Sequence, residues 1–149
     1  MPRSGATTFV GREEDLTRLH EQIQCSGQVA ISAIAGMGGI GKTELALQYA
    51  RRYGTGQDEV SPYGAVCWLQ VRDQDVASQI VNFAQTYLAL TPPDGLELVP
   101  QVNWVWAHWP VSQSVLLIYD DVANFDRISP YLPPQTDLFR VLITTRQRF

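Results

Sequence analysis

Eight residues constrain this chain more than any others: Gly36-Met37-Gly38-Gly39-Ile40-Gly41-Lys42-Thr43. They follow the apolar run Val29-Ala30-Ile31-Ser32-Ala33-Ile34-Ala35, which reads as a buried strand over 29–35. After them, Leu45, Ala46, Tyr49 and Ala50 fall on one helical stripe, Arg51 and Arg52 sit in a last turn and Gly54 follows, so the spacing predicts a helix over 43–53. The octet thus fits G-x-x-x-x-G-K-[ST] in the strand, loop, helix context that gives the pattern meaning. Drawn at random from this chain's own composition, such a match would arise with odds of roughly one in a thousand or two. Glycines let the backbone turn with its N–H groups inward, so amides and helix N-terminus together form a pocket for a phosphate. Lys42, the single lysine beside ten arginines, is placed to bridge β- and γ-phosphates, and the Thr43 hydroxyl to ligate Mg²⁺. A merely flexible turn gives no reason for a lysine and a hydroxyl at those two places.

The remaining chain supplies the frame for such a loop. Leu16, Leu19 and Ile23 are spaced for a helix after Phe9-Val10-Gly11-Arg12, and Glu13-Glu14-Asp15 suit the positive end of its dipole. Residues 55–63 are small, polar or turn-forming and mark a surface loop. A second strand is expected over 65–71, then a helix carrying Val76, Ile80, Ala84 and Leu88 that Thr91-Pro92-Pro93-Asp94-Gly95 closes, then a helix over 98–109. Strands at 115–119 and 141–144 follow, separated by a helical piece over 125–132 that Pro133-Pro134 ends. The order α-β-α-β-α-α-β-α-β, with strands apolar on both faces, implies a mostly parallel sheet covered on both sides: a three-layer α/β domain.

Polar residues cluster where two of these strands end. Val115-Leu116-Leu117-Ile118-Tyr119 delivers Asp120 and Asp121 at a carboxyl edge, where ligands of open α/β sheets bind. Asp120 is expected to hold Mg²⁺ through water, and Asp121 to face the γ-phosphate as a candidate base or water-positioning group. The pair also fits plain turn or cap formation. Val141-Leu142-Ile143-Thr144-Thr145 brings Arg146 to the same edge, either as a guanidinium that senses the γ-phosphate or as a solvated arginine.

Composition removes several function classes. The length of 149 residues suits one domain, with 45% hydrophobic and 17% charged residues as in globular proteins. Fifteen acidic against eleven basic side chains give a net charge of -4, which disfavours direct binding of nucleic acid or anionic membrane. No apolar run approaches a membrane span and Met1-Pro2-Arg3-Ser4-Gly5 leads into no signal-peptide core. Cys25 and Cys67 lack partners at metal-ligand spacing, so a reduced, cytoplasmic chain is expected. Trp104, Trp106, Val105, His108 and Trp109 cannot all face one core from one helix; core packing and a docking face both fit. His20 and His108 read as surface or packing residues.

Taken together, Phe9-Val10-Gly11-Arg12-Glu13, Gly36 to Thr43, Leu116 to Val122 and Ile143 to Arg146 resemble the NB-ARC family of the STAND class of P-loop ATPases. In more detail the chain is similar to bacterial, especially cyanobacterial, members in which the core precedes tetratricopeptide repeats. The resemblance implies ATP and ADP with Mg²⁺ as ligands. It places Val10, Gly11 and Arg12 on the adenine side and residues Gly36 to Thr43, with Glu44 after them, around the phosphates. It assigns catalytic roles to Lys42, Asp120, Asp121 and Arg146, and metal ligation to Thr43 and Asp120. Residues 1–149 would then be the front part of a longer nucleotide-binding domain, with an adenine-side segment and helix over 9–24 and a P-loop core over 29–149. The core would stop before its last strand, leaving an unpaired hydrophobic strand edge that favours dimerisation or aggregation. The partners implied are downstream helical and winged-helix closing regions of the same chain, the repeats, and further copies in a homo-oligomer. Asp121 stands where vigorous hydrolysers of the wider class carry Glu, and its shorter reach implies a slow ATPase acting as a conformational switch. A module that keeps ADP without hydrolysing it and a small-molecule P-loop kinase are the other readings. No lid suits the kinase, and a guanine-reading motif would need a second lysine.

Overall fold

The computed structural model of the chain describes residues 12–31, 39–54, 63–72 and 75–145. Four strands, β1 (Gln28–Ile31), β2 (Ala65–Gln70), β3 (Val115–Val122) and β4 (Phe139–Thr145), form one sheet in the order β1-β4-β3-β2. All three pairings are parallel. Helix α1 (Arg12–Ser26) precedes β1, α2 (Gly39–Tyr49) follows it, and α3 (Val76–Leu88) and α4 (Leu98–His108) lie between β2 and β3.

Strand periodicity explains why the apolar runs are continuous. Successive side chains of a strand point to opposite faces. Leu116 and Ile118 of β3 and Leu142 of β4 therefore pack against Leu16, Leu19 and Ile23 of α1 and Leu45, Ala46 and Tyr49 of α2. The intervening Leu117, Tyr119, Val141 and Ile143, with Cys67 and Leu69 of β2, face Ile80, Ala84, Val102 and Val105 under α3 and α4. Both faces are covered, so every position of β3 up to Asp120 is buried. The tryptophan cluster divides in the same way. Trp106 and Trp109 enter the core with Phe139, whereas Trp104 is only partly buried against that core and stacks on His108 one turn later at 4.1 Å between ring centres.

Several element ends differ from the sequence reading. Helix α2 begins at Gly39, not Thr43, because the first turn of a helix needs no internal acceptors for its N–H groups and tolerates glycine there. It continues past Tyr49 as a π-helical turn, Ala50–Gly54, where a regular last turn was expected. Gly54 is required at its end: a β-carbon there would overlap Cγ2 of Val66 on β2. Helix α3 stops at Leu88, before the proline pair, because Ala89 takes a left-handed conformation (φ 54) and Leu90 N–H turns back to the Ala84 carbonyl at 3.1 Å. The helical piece expected over 125–132 is two 3-10 turns, Phe125–Arg127 and Ser129–Tyr131, pinned to β3 by the Tyr119 hydroxyl donating to the Tyr131 carbonyl at 2.9 Å. Of the strand expected over 29–35, Gln28–Ile31 is β1, and residues 32–35 lie outside the described residues. Among the described strands β1 pairs with β4 alone.

Candidate functional site

A parallel sheet gathers the carboxyl ends of all its strands at one edge, and the polar residues of this chain meet there. By alternation Asp120 lies on the same face of β3 as Leu116 and Ile118, toward α2. Its Oδ1 accepts the Thr43 hydroxyl of α2 at 3.0 Å and the Thr144 hydroxyl of β4 at 2.6 Å. Asp120 is 9% exposed and Thr144 only 2%, so this carboxylate sits in a protected site with two neutral donors.

The strand bends at the acidic pair. Between the register pairs Tyr119↔Ile143 and Val122↔Thr145, β3 carries one residue more than β4, a β-bulge. Asp121 takes the left-handed conformation, φ 64, that short polar side chains tolerate better than others. The bulge is held from three sides. Asp121 N–H donates to the Thr144 hydroxyl at 2.8 Å, Val71 N–H donates to the Asp120 carbonyl at 3.0 Å, and the Thr145 hydroxyl donates to the Val122 carbonyl at 2.9 Å. One buried hydroxyl, that of Thr144, thus accepts from the backbone of one aspartate and donates to the side chain of the other. The Asp121 carboxylate is turned toward Arg72, just past β2, with 3.9 Å between Oδ2 and the guanidinium.

The structure brings Thr43 and Asp120 together as the sequence reading expects, with Gly39, Ile40, Gly41 and Lys42 forming the first turn of α2 ahead of them. Glu44 is buried on the same helix and accepts from Gln48 one turn on at 3.2 Å. Asp121 is at the same edge, one residue along the bulge. Arg12 is the first residue of α1. Val10, Gly11, Gly36, Met37, Gly38 and Arg146 lie outside the described residues. Two residues escape sequence reasoning. Thr144 was legible as the polar end of a strand whose alternation puts it with Leu142 on the α2 face; Arg72 carried no signal, because only the pairing of β2 with β3 brings it to the acidic pair.

The donors at this edge are oxygens: a threonine hydroxyl and an aspartate carboxylate. Hard divalent ions such as Mg²⁺ favour that set, completing their shell with water and phosphate oxygens and not with a protein cage. Among the described residues no group of three or more His, Cys, Asp or Glu side chains is arranged to hold a metal. The glycine-rich sequence leading into α2, the parallel sheet and the Thr43–Asp120 contact define a P-loop nucleoside triphosphatase core. The NB-ARC domain family matches residues 12–149, and the chain belongs to that family. It is accordingly a nucleotide-binding domain of the signalling-ATPase type, whose ligands are ATP and ADP. Comparison with curated proteins gives no match. No helix among the described residues is long and apolar enough to cross a membrane.

Proposed function

We propose that this domain is a cytoplasmic ATP/ADP switch that hydrolyses ATP slowly with Mg²⁺ and thereby controls the conformation and oligomerisation of a longer protein. The observation that carries the reading is the Thr43–Asp120–Thr144 cluster, which ties the phosphate-loop helix to the carboxyl ends of β3 and β4. Lys42 and the backbone amides of residues 36–43 are the groups that would meet the β- and γ-phosphates. Thr43 and Asp120 would hold the metal, which when bound would offset the charge of the phosphate oxygens. Asp121 orients the attacking water, Arg146 reports the γ-phosphate, and Val10, Gly11 and Arg12 meet the adenine side. Closing regions and tetratricopeptide repeats of the longer chain would read the nucleotide state.

A second reading, in which ADP stays bound and hydrolysis is incidental, draws on the Arg72–Asp121 ion pair: a carboxylate turned toward a guanidinium is drawn away from an attacking water. Mass spectrometry of nucleotide released from purified protein, with Lys42→Ala as control, tests the binding; ADP or ATP from the wild type alone is expected. Single-turnover hydrolysis then separates the two readings. A slower Asp121→Asn variant supports the switch, equal rates support the ADP module, and turnover above about 10 s⁻¹ contradicts slow hydrolysis.

A further inference from the structure

Behind the nucleotide edge, α1 and α2 share a polar contact, half-buried at His20 and buried at Tyr49 and Tyr63, in an otherwise apolar interface. His20 Nδ1 lies 2.8 Å from the Tyr49 hydroxyl, which lies 2.7 Å from the Tyr63 hydroxyl, and Gln24 Nε2 donates to Tyr63 at 3.1 Å. Because Gln24 donates to Tyr63, the Tyr63 proton is available to Tyr49 and the Tyr49 proton to Nδ1 of a neutral His20. Burial favours that neutral form by lowering the His20 pKa, and it raises those of both tyrosines. The histidine ring also stacks face to face on Tyr53, at 4.0 Å between ring centres and 0° between planes. Tyr53 belongs to the π-helical turn that ends the phosphate-loop helix, and such turns are rare and frequently found at functional sites.

Topology shows what this contact can govern. The last residue of α1 is followed by Gly27 and then by the first residue of β1, so α1 ends at the amino edge of the sheet and starts at its carboxyl edge. Helix α2 follows β1 and also starts at the carboxyl edge. The two helices therefore run side by side in the same direction, both opening at the edge that holds Asp120, Asp121 and Thr144. His20 is roughly 12 Å along α1 from its start, and Tyr49 roughly 15 Å along α2. A tie at that depth fixes the tilt of one helix against the other, and small tilts there move the two openings apart.

We propose that the His20–Tyr49–Tyr63 chain and the His20–Tyr53 stack are a positioning device that sets the spacing between the base end and the phosphate end of the nucleotide site. This rests on the reading above, in which the start of α1 serves the adenine and the start of α2 the phosphates. These residues touch no ligand; they act through the two helices.

Calorimetric titration of Mg-ATP and of Mg-tripolyphosphate, which has no base, tests the idea. Tyr49→Phe removes the shared hydroxyl and keeps the ring. It is expected to weaken Mg-ATP about three- to tenfold, the loss of about one buried hydrogen bond's effect, and to leave tripolyphosphate within about twofold. His20→Gln, at a half-buried position that can be changed without opening the core, should show the same selective loss. Melting by circular dichroism checks that each variant is folded. Parallel weakening of both ligands would mark a merely structural role and overturn the proposal, as would unchanged affinity for both in folded variants. A wild type that binds tripolyphosphate and ATP equally well also overturns it, since no base contact is then being positioned. A wild type that binds neither ligand removes the nucleotide reading itself, a failure distinct from the others.

Discussion

Replacing Thr144 by valine keeps the side-chain volume and β-branching and removes only a hydroxyl. That hydroxyl donates to the Asp120 carboxylate at 2.6 Å and accepts from Asp121 N–H at 2.8 Å, at a position 2% exposed. A hydrogen bond to a charged acceptor is worth about 1.5–3 kcal/mol. The stranded Asp121 N–H adds about 1 kcal/mol, the low end for such a group because this hydrogen bond is only part-buried. Thr144→Val is therefore expected to cost about 3 kcal/mol, and a domain of this size should melt roughly 6–12 °C lower. Thr144→Ser is the informative contrast. It keeps the hydroxyl and loses a methyl group, which costs about 1 kcal/mol through lost burial and a small cavity. Thermal unfolding followed by circular dichroism should place serine between wild type and valine, although serine changes the volume more. Valine melting within a degree or two of wild type, or above serine, would refute the hydroxyl's bridging role.

Other outcomes are equally direct. Burial lowers the folded pKa of His20 below 6.5; the unfolded chain then takes up more protons, so stability is full above that value and falls as the pH drops through the folded pKa. Urea midpoints at about pH 7.5 and 5.5 should differ for the wild type and converge in His20→Gln, whereas midpoints that already coincide in the wild type would contradict a half-buried imidazole held neutral. Gly54→Ala drives a β-carbon into Val66 and should destabilise by about 1–3 kcal/mol in denaturant titration; a neutral result would show that the π-helical turn can shift. Cys67 is buried and its thiol is pushed up to about 12 by burial, while Cys25 is exposed. A thiol reagent at neutral pH should modify Cys25 in the native protein and Cys67 only after unfolding, and rapid native labelling of Cys67 would mean that the core under α3 is open.

Much of this architecture was legible because the strands advertise themselves. A run such as Val115 to Tyr119 is apolar at every position only when both faces are covered, and that already implies parallel strands with helices on each side. The glycine octet predicts a phosphate loop leading into α2, and alternation along β3 directs Asp120 toward Thr43. What local preference hides is how elements end. Gly39 and Gly41 look like helix breakers, yet they stand in the first turn of α2, where free N–H groups are the useful feature. Aspartates disfavour strands, so β3 appears to stop at Tyr119; tertiary partners at Val71, Thr144 and Thr145 carry it through the bulge to Val122. The π-helical turn after Tyr49 answers to Val66 and His20, far away in sequence, and no window around Tyr53 contains that information. Arg72 was invisible for the same reason.

The most direct measurement of the central claim is a calorimetric titration of Mg-ADP into the wild-type chain and into Lys42→Ala. One saturable site in the wild type, weakened at least about tenfold by loss of the lysine, is the expected result. No binding to the wild type, or the same affinity without Lys42, would contradict a phosphate site built on the glycine loop and the start of α2.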